Sequence, residues 1–330
     1  MTIDNKRFER RFRRFGILTI ASVFFLIFIG GLVRSTGSGM GCPDWPKCFG
    51  KWVPPSSVSE LPEDYKQRFK TASHEVADFD AYKTWTEYIN RLIGVLTGFF
   101  VFLTVVFAYP YLKSKPEIFW LSFLALILTG FQGWIGAKVV ATNLAHWMVT
   151  IHMIIALVIV GLLIYTITRS QDFEVPQLNN DRSLKLIMVA VLAVSAIQTI
   201  SGTQVRENVD AVALVSGEQN RQYWVSLLGN IFTFHRTFSL ASVALTILLL
   251  YKLRAAFSRS SVVYRSVLAL CLLIALQVLT GKVLENLGFP KHIQSTHLFV
   301  GSLICGVQLF IAIVLYSKVK SADELNISTT

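Results

Sequence analysis

Hydrophobic residues fall into eight long runs separated by polar breaks, at about 16–33, 85–109, 118–137, 147–168, 184–202, 224–251, 262–281 and 294–316. Each run is near the roughly 20 residues a helix needs to cross the apolar layer of a bilayer. Charged residues punctuate the ends: Lys113 and Lys115 after the second run, Arg169 to Lys185 after the fourth, and Lys252 to Arg265 after the sixth. No run shows the one-sided polarity of a helix lying in the membrane surface. The pattern predicts an all-α membrane protein with eight transmembrane helices. Polar mass collects in a single long loop, 34–84, where Pro43, Pro46, Pro54, Pro55 and Pro62 predict turns and Glu60 to Ala81 can form a short surface helix.

Composition closes off the alternatives. In 330 residues, 53% are hydrophobic, only 15% are charged and the mean hydropathy is +0.54. A soluble domain carries about a quarter charged residues, so a water-soluble core, a disordered chain and a disulfide-framed scaffold are excluded. The net charge of +11 is read by side of the membrane before it suggests nucleic acid. Placing Lys6, Arg7, Arg10, Arg11, Arg13 and Arg14 in the cytoplasm puts the basic residues of the alternate loops there too. The short loops opposite then hold only Lys138, Arg206, Arg221, Lys282 and Lys291. The positive-inside rule thus predicts both termini in the cytoplasm and leaves no nucleic-acid partner to explain the charge. With no small-residue cleavage site after the first run, that helix is expected to be an uncleaved anchor in a bacterial inner membrane.

The chain also repeats itself. An offset of 145 residues aligns Gln132 with Gln277, Gly136 with Gly281, His152 with His297, and Asn90-Arg91 with His235-Arg236. An offset of 172 aligns Gly30, Val33 and Arg34 with Gly202, Val205 and Arg206. Rare polar residues of the apolar runs are among the matches, which chance similarity between greasy helices does not explain. We therefore expect two four-helix units, 1–168 and 169–330, forming bundles related by a pseudo-two-fold axis along the membrane normal.

Those polar residues carry the candidate chemistry. A lone intramembrane histidine is ordinarily a hydrogen-bonded packing residue, but His152, His235 and His297 recur on even-numbered helices at similar depth. Two neutral imidazoles facing each other across a bundle can fill both axial positions of a haem iron, and His235 and His297 are that pair in the second unit. A closed zinc site wants four ligands, and no third or fourth is at hand. In the first unit the corresponding residues are Asn90 and His152, and an amide is a poor iron ligand. His146 and His292 sit at the membrane edge, and His74 lies in the long loop.

Glu87 lies one turn before Asn90 on nearly the same face. It can form an i, i+4 ion pair with Arg91, or stand beside a porphyrin edge as a proton acceptor or cation stabiliser. Arg91 and Arg236 occupy matched positions, where propionate pairing and interfacial snorkelling are both open. Cys42 and Cys48 frame a short loop with two prolines on the oxidising side, which predicts a disulfide, either a structural staple or a redox-active pair. Cys271 and Cys305 lie within helices and read as packing residues.

Taken together these residues resemble the haem A synthase family. The resemblance rests on Gly30-Gly31-Leu32-Val33-Arg34-Ser35-Thr36-Gly37-Ser38-Gly39-Met40, on Cys42 and Cys48 with Pro43, Asp44 and Trp45, on the Glu87 to Arg91 segment, and on the histidines of helices four, six and eight. It covers nearly the whole chain. It implies a C-terminal unit holding haem b through His235 and His297, and an N-terminal unit receiving haem O as substrate, with Glu87 as catalytic carboxylate. The implied reaction converts a haem O methyl group to the formyl group of haem A by successive hydroxylations, with electrons passing to a membrane acceptor. It further implies the enzyme that makes haem O as a partner. Many family members have a histidine where this chain has Asn90, which leaves His152 as the ligand of the substrate haem, or His74 as a replacement. The competing expectations are a di-haem cytochrome b that carries electrons without altering its porphyrins, and a secondary transporter, which would leave the histidine pair unexplained.

Overall fold

The computed structural model describes residues 3–70, 76–142, 144–171 and 181–316. Eight helices long and apolar enough to cross a membrane run through it: α1 (Ile3–Ser35), α2 (Ala81–Ala108), α3 (Pro116–Ala141), α4 (His146–Arg169), α5 (Arg182–Ser216), α6 (Gly229–Ala256), α7 (Val262–Asn286) and α8 (Lys291–Tyr316). The described residues hold no β-strand, only an isolated bridge between Cys48 and Lys51. This is a multi-pass, all-α membrane protein.

Local chemistry sets the starts of these helices. Asp80 accepts a hydrogen bond from the Lys83 amide, Asp181 from the amides of Ser183 and Leu184, and Ser261 from that of Tyr264. Each satisfies amides that an opening turn leaves without an intrahelical partner. Pro116 opens α3 at a position where its missing N–H costs nothing.

Two boundaries depart from the sequence pattern. The fifth apolar run ends near 202, yet α5 continues to Ser216, because the polar residues beyond the run pair along the helix, Arg206 with Asp210 at 2.7 Å. Gly217, at φ +76°, then ends it in a conformation only glycine adopts without strain. Arg206, and likewise Lys138 of α3 and Lys282 of α7, lie within helices and not in loops. The sixth run starts at about 224, but Trp224–Leu227 is a separate turn, and α6 begins only after a break at Gly229, φ +67°.

Each half packs as a ring of four. Helix α1 touches α2 and α4, and α3 touches the same two; α5 touches α6 and α8, and α7 touches the same two. The rings meet where α8 lies against α1 and α4. Helix α8 is the most buried of the eight and α6 the least.

Apolar cores fill only part of each ring. In the second half a cluster including Met188, Leu249, Leu270 and Ile311 packs one end, and a smaller one around Trp224, Val209 and Phe289 closes the other. His235 and His297 lie between them. In the first half a cluster around Phe24, Val101 and Leu163 packs one end. The other end is covered by the long loop, where Phe49, Tyr65, Phe69 and Phe79 surround Cys42 and Cys48. Of the surface helix expected over Glu60 to Ala81, only the turn Tyr65–Arg68 forms among the described residues. His74 lies outside them.

Candidate functional site

The polar layer of the second half is built from two helix pairs with the same design. His235 of α6 and His297 of α8 face each other with ring centroids 6.4 Å apart and planes inclined at 66°. Gly202 of α5 makes room for one ring, since a Cβ there would lie 3.2 Å from His235 Cε1, and Gly281 of α7 does so for the other, at 3.4 Å from His297 Cε1. The residue before each glycine carries a hydroxyl: Ser201 Oγ is 2.9 Å from His235 Nδ1, and Thr280 Oγ1 is 2.9 Å from His297 Nδ1. Both hydroxyls donate to the carbonyl three residues earlier, of Gln198 and Gln277. Each oxygen therefore accepts from Nδ1–H, and the lone pair of both imidazoles lies on Nε2. Gln198 Nε2 donates to the His235 carbonyl at 3.2 Å, and Gln277 Nε2 donates to His297 Nε2 at 3.1 Å.

This pair fits a porphyrin iron. Two imidazoles bound to opposite sides of one metal, with bonds of about 2 Å, place their ring centroids roughly 6 Å apart. Among the described residues no three or more His, Cys, Asp or Glu gather to hold an ion. A metal bringing four nitrogens of its own would need only two axial ligands, and His235 and His297 are spaced to supply them.

The first half repeats the glycines but not the supports. A Cβ at Gly136 of α3 would lie 3.8 Å from His152 Cε1 on α4, and one at Gly30 of α1 would lie 4.0 Å from Asn90 Oδ1 on α2. Gln132 Nε2 donates to the His152 carbonyl at 2.8 Å, as Gln198 does to that of His235. Ile135 stands where Thr280 stands, and Ile29 where Ser201 stands. His152 Nδ1 is consequently buried without a hydrogen-bond partner, as are Asn90 Oδ1 and Gln132 Oε1. Gln277 Oε1 in the second half is left likewise, and buried polar atoms of this kind are ones that a bound polar group can satisfy.

Above that layer sits Glu87, only 3% exposed. One carboxylate oxygen accepts from the Cys42 amide at 2.9 Å, and the other pairs with Arg91. The Arg91 guanidinium also donates to the carbonyls of Asp44, Lys47 and Cys42 at 2.7, 2.9 and 3.2 Å. Cys42 and Cys48 form a disulfide, and the loop is seated tightly on α2: a Cβ at Gly41 would fall 2.4 Å from the Lys83 carbonyl oxygen. In the second half Phe232 replaces Glu87, and Arg236, half exposed, pairs with Glu285 at 2.5 Å.

A family model described as "COX15-CtaA: Cytochrome oxidase assembly protein" matches residues 13–309. The chain belongs to the COX15-CtaA family. Its relatives include the "Heme A synthase" of Geobacillus kaustophilus, 24% identical over 96% of both chains. Those of Halalkalibacterium halodurans, 24% identical over 93% of this chain and 98% of its own, and of Exiguobacterium sp., 25% identical over 93% and 94%, match at similar length.

Within this COX15-CtaA chain the repeat-related Arg34 and Arg206 converge on one carboxylate, Asp210, at 3.0 and 2.7 Å, tying α1 to α5 across the two halves. Ser201, Thr280, Gln198 and Asp210 were not singled out from the sequence. A comparison of 198–202 with 277–281, both Gln-x-x-(Ser/Thr)-Gly, holds the signal for the first three. His292 lies in the first turn of α8, and His146 opens α4. Cys305 Sγ lies 3.8 Å from Thr199 Oγ1 within the helix packing.

Proposed function

We propose that this chain is a haem A synthase, an oxidoreductase that converts a methyl group of haem O to the formyl group of haem A by two hydroxylations and loss of water. Relatives of that name aligned over nearly their whole length support the reading. The observation that carries it for this chain is an asymmetry between matched layers: the opposed pair His235 and His297 in one, and a buried carboxylate, Glu87, beside a single histidine in the other. A carrier with two permanent haems would want paired ligands in both.

On this reading residues 1–168 form the substrate unit and 169–330 the haem b unit, related by a pseudo-two-fold axis along the membrane normal; the identical order of helix contacts in the two rings supports the division. His235 and His297 would hold haem b through Nε2, with Ser201 and Thr280 fixing the tautomer. Bound there, haem b supplies reversible one-electron iron chemistry that can relay electrons to a membrane acceptor. His152 would hold haem O. Each hydroxylation removes two electrons from the methyl carbon, and positive charge developing there is delocalised into the macrocycle. Glu87, shielded from water and held by Cys42 N–H and Arg91, is the anion available to stabilise that charge or to take a proton from the incoming oxygen nucleophile. Arg91 and Arg236 are candidates to face propionates, with Arg91 also bracing the disulfide loop. The basic residues in the N-terminal part of α1 support an inner-membrane orientation with cytoplasmic termini, and the enzyme that makes haem O is the natural partner.

The test is co-expression with a haem O source in a host that lacks haem A, followed by extraction and chromatography of the porphyrins. Formylated haem is expected from the native chain. Its absence, with haem O and haem b both bound, would overturn the reading.

A further inference from the structure

The eight helices form four sequential pairs, and in each a glycine of the odd-numbered helix faces a polar side chain of the next: Gly30 with Asn90, Gly136 with His152, Gly202 with His235, and Gly281 with His297. In three pairs the glycine is preceded four residues earlier by a glutamine, Gln132, Gln198 or Gln277, that hydrogen-bonds to the histidine across the gap. The first pair differs at both ends. Leu26 replaces the glutamine and Asn90 replaces the imidazole. Ligand and buttress are changed together, while the glycine that makes room for a ring remains.

What is left is a glycine facing an amide, 4.0 Å from a Cβ at Gly30 to Asn90 Oδ1, where the other pairs face an imidazole. An asparagine amide stops well short of the reach of an imidazole Nε2, and carbonyl oxygen is a poor match for haem iron beside imidazole. Asn90 Oδ1 is buried and has no hydrogen-bond partner. Glu87, three residues earlier, has its carboxylate engaged by Cys42 N–H and Arg91, and its negative charge disfavours an anionic guest. We propose that the face of the substrate porphyrin opposite His152 is open, and that Asn90 forms a site there for a small neutral ligand, water or a diatomic gas. The proposal rests on the reading of the first unit as the haem O pocket and adds that the iron of the substrate itself accepts an exogenous ligand.

Carbon monoxide is the probe. The full-length protein, loaded with haem O and reduced, is titrated with carbon monoxide while porphyrin content is counted by extraction. Two porphyrins per chain are expected, one shifting its Soret band with carbon monoxide and the other, held by His235 and His297, inert. Asn90→His should abolish the carbon monoxide response and give a low-spin signal in place of the high-spin one expected of a singly ligated iron, and Leu26→Gln with Asn90→His should strengthen that change. Two bound porphyrins that both ignore carbon monoxide would overturn the open site and leave the haem O reading intact. So would a response that survives unchanged in a well-folded Asn90→His protein carrying both porphyrins. A protein that never binds a second porphyrin would overturn the haem O reading, and the open site with it.

Discussion

Thr280 Oγ1 lies 2.9 Å from His297 Nδ1, and the residue in its place beside His152 is Ile135. Hydrogen bonding at Nδ1 orients an imidazole and raises its basicity as a ligand. On the proposed reading the hydroxyl pair Ser201 and Thr280 would suit a permanent cofactor, and an unsupported His152 a porphyrin that must leave as product. Replacing Thr280 with Val should weaken haem b retention by about 10- to 100-fold, the usual effect of losing such support, and raise the midpoint potential of what remains bound. Redox titration with haem quantification checks both. The reciprocal Ile135→Thr should slow release of formylated porphyrin while leaving haem b content alone.

The glycines facing the rings set a second expectation. A Cβ at Gly202 would sit 3.2 Å from His235 Cε1, tighter than the 3.4 Å at Gly281 and far tighter than the 3.8 Å at Gly136. Alanine should therefore disturb the haem b spectrum more at 202 than at 281, and Gly136→Ala should leave that spectrum untouched. Leucine at 202 is expected to remove the haem b share of the Soret band, because neither the ring nor the helix backbone can yield that far within a packed bundle. Equal effects at all three positions would contradict the geometry.

Much of this was legible in the order of residues. Eight apolar runs of bilayer length, the repeat offsets and the three histidines led directly to the helices and the opposed pair. What escaped was polar structure beyond the apolar runs. The extension of α5 to Ser216 depends on Arg206 and Asp210 pairing along the helix and on Arg34 arriving from α1, and long-range pairing has no local periodicity. Ser201 and Thr280 escaped for a different reason. A hydroxyl inside an apolar helix ordinarily bonds its own backbone, as both do, and only the facing histidine reveals the second bond.

The convergence of Arg34 and Arg206 on Asp210 predicts a salt-sensitive joint between the halves. With two guanidiniums on one carboxylate, Asp210→Asn leaves like charges adjacent. All three side chains are partly exposed, so the expected loss is modest, about 1 kcal/mol. It should be read as a lower thermal midpoint in detergent at low ionic strength, and the difference from the native protein should shrink as salt is added.

Glu87 offers the sharpest separation of structure from chemistry. Its carboxylate is buried against Arg91 and the Cys42 amide, and removing one partner of a buried pair costs about 3–5 kcal/mol, because the other charge is left uncompensated. Glu87→Ala is therefore expected to lower the thermal midpoint and loosen the disulfide loop as well as stop formylation. Glu87→Gln keeps one acceptor oxygen, for Cys42 N–H or for Arg91, turns an amide donor toward the other, and loses the charge. Proton acceptance and cation stabilisation both need that charge, so the glutamine variant should retain haem b, bind haem O and lose less stability than the alanine variant, yet yield no haem A. Porphyrin chromatography of the glutamine protein that showed native yields of the aldehyde would remove Glu87 from the reaction and leave it as the anchor of the loop.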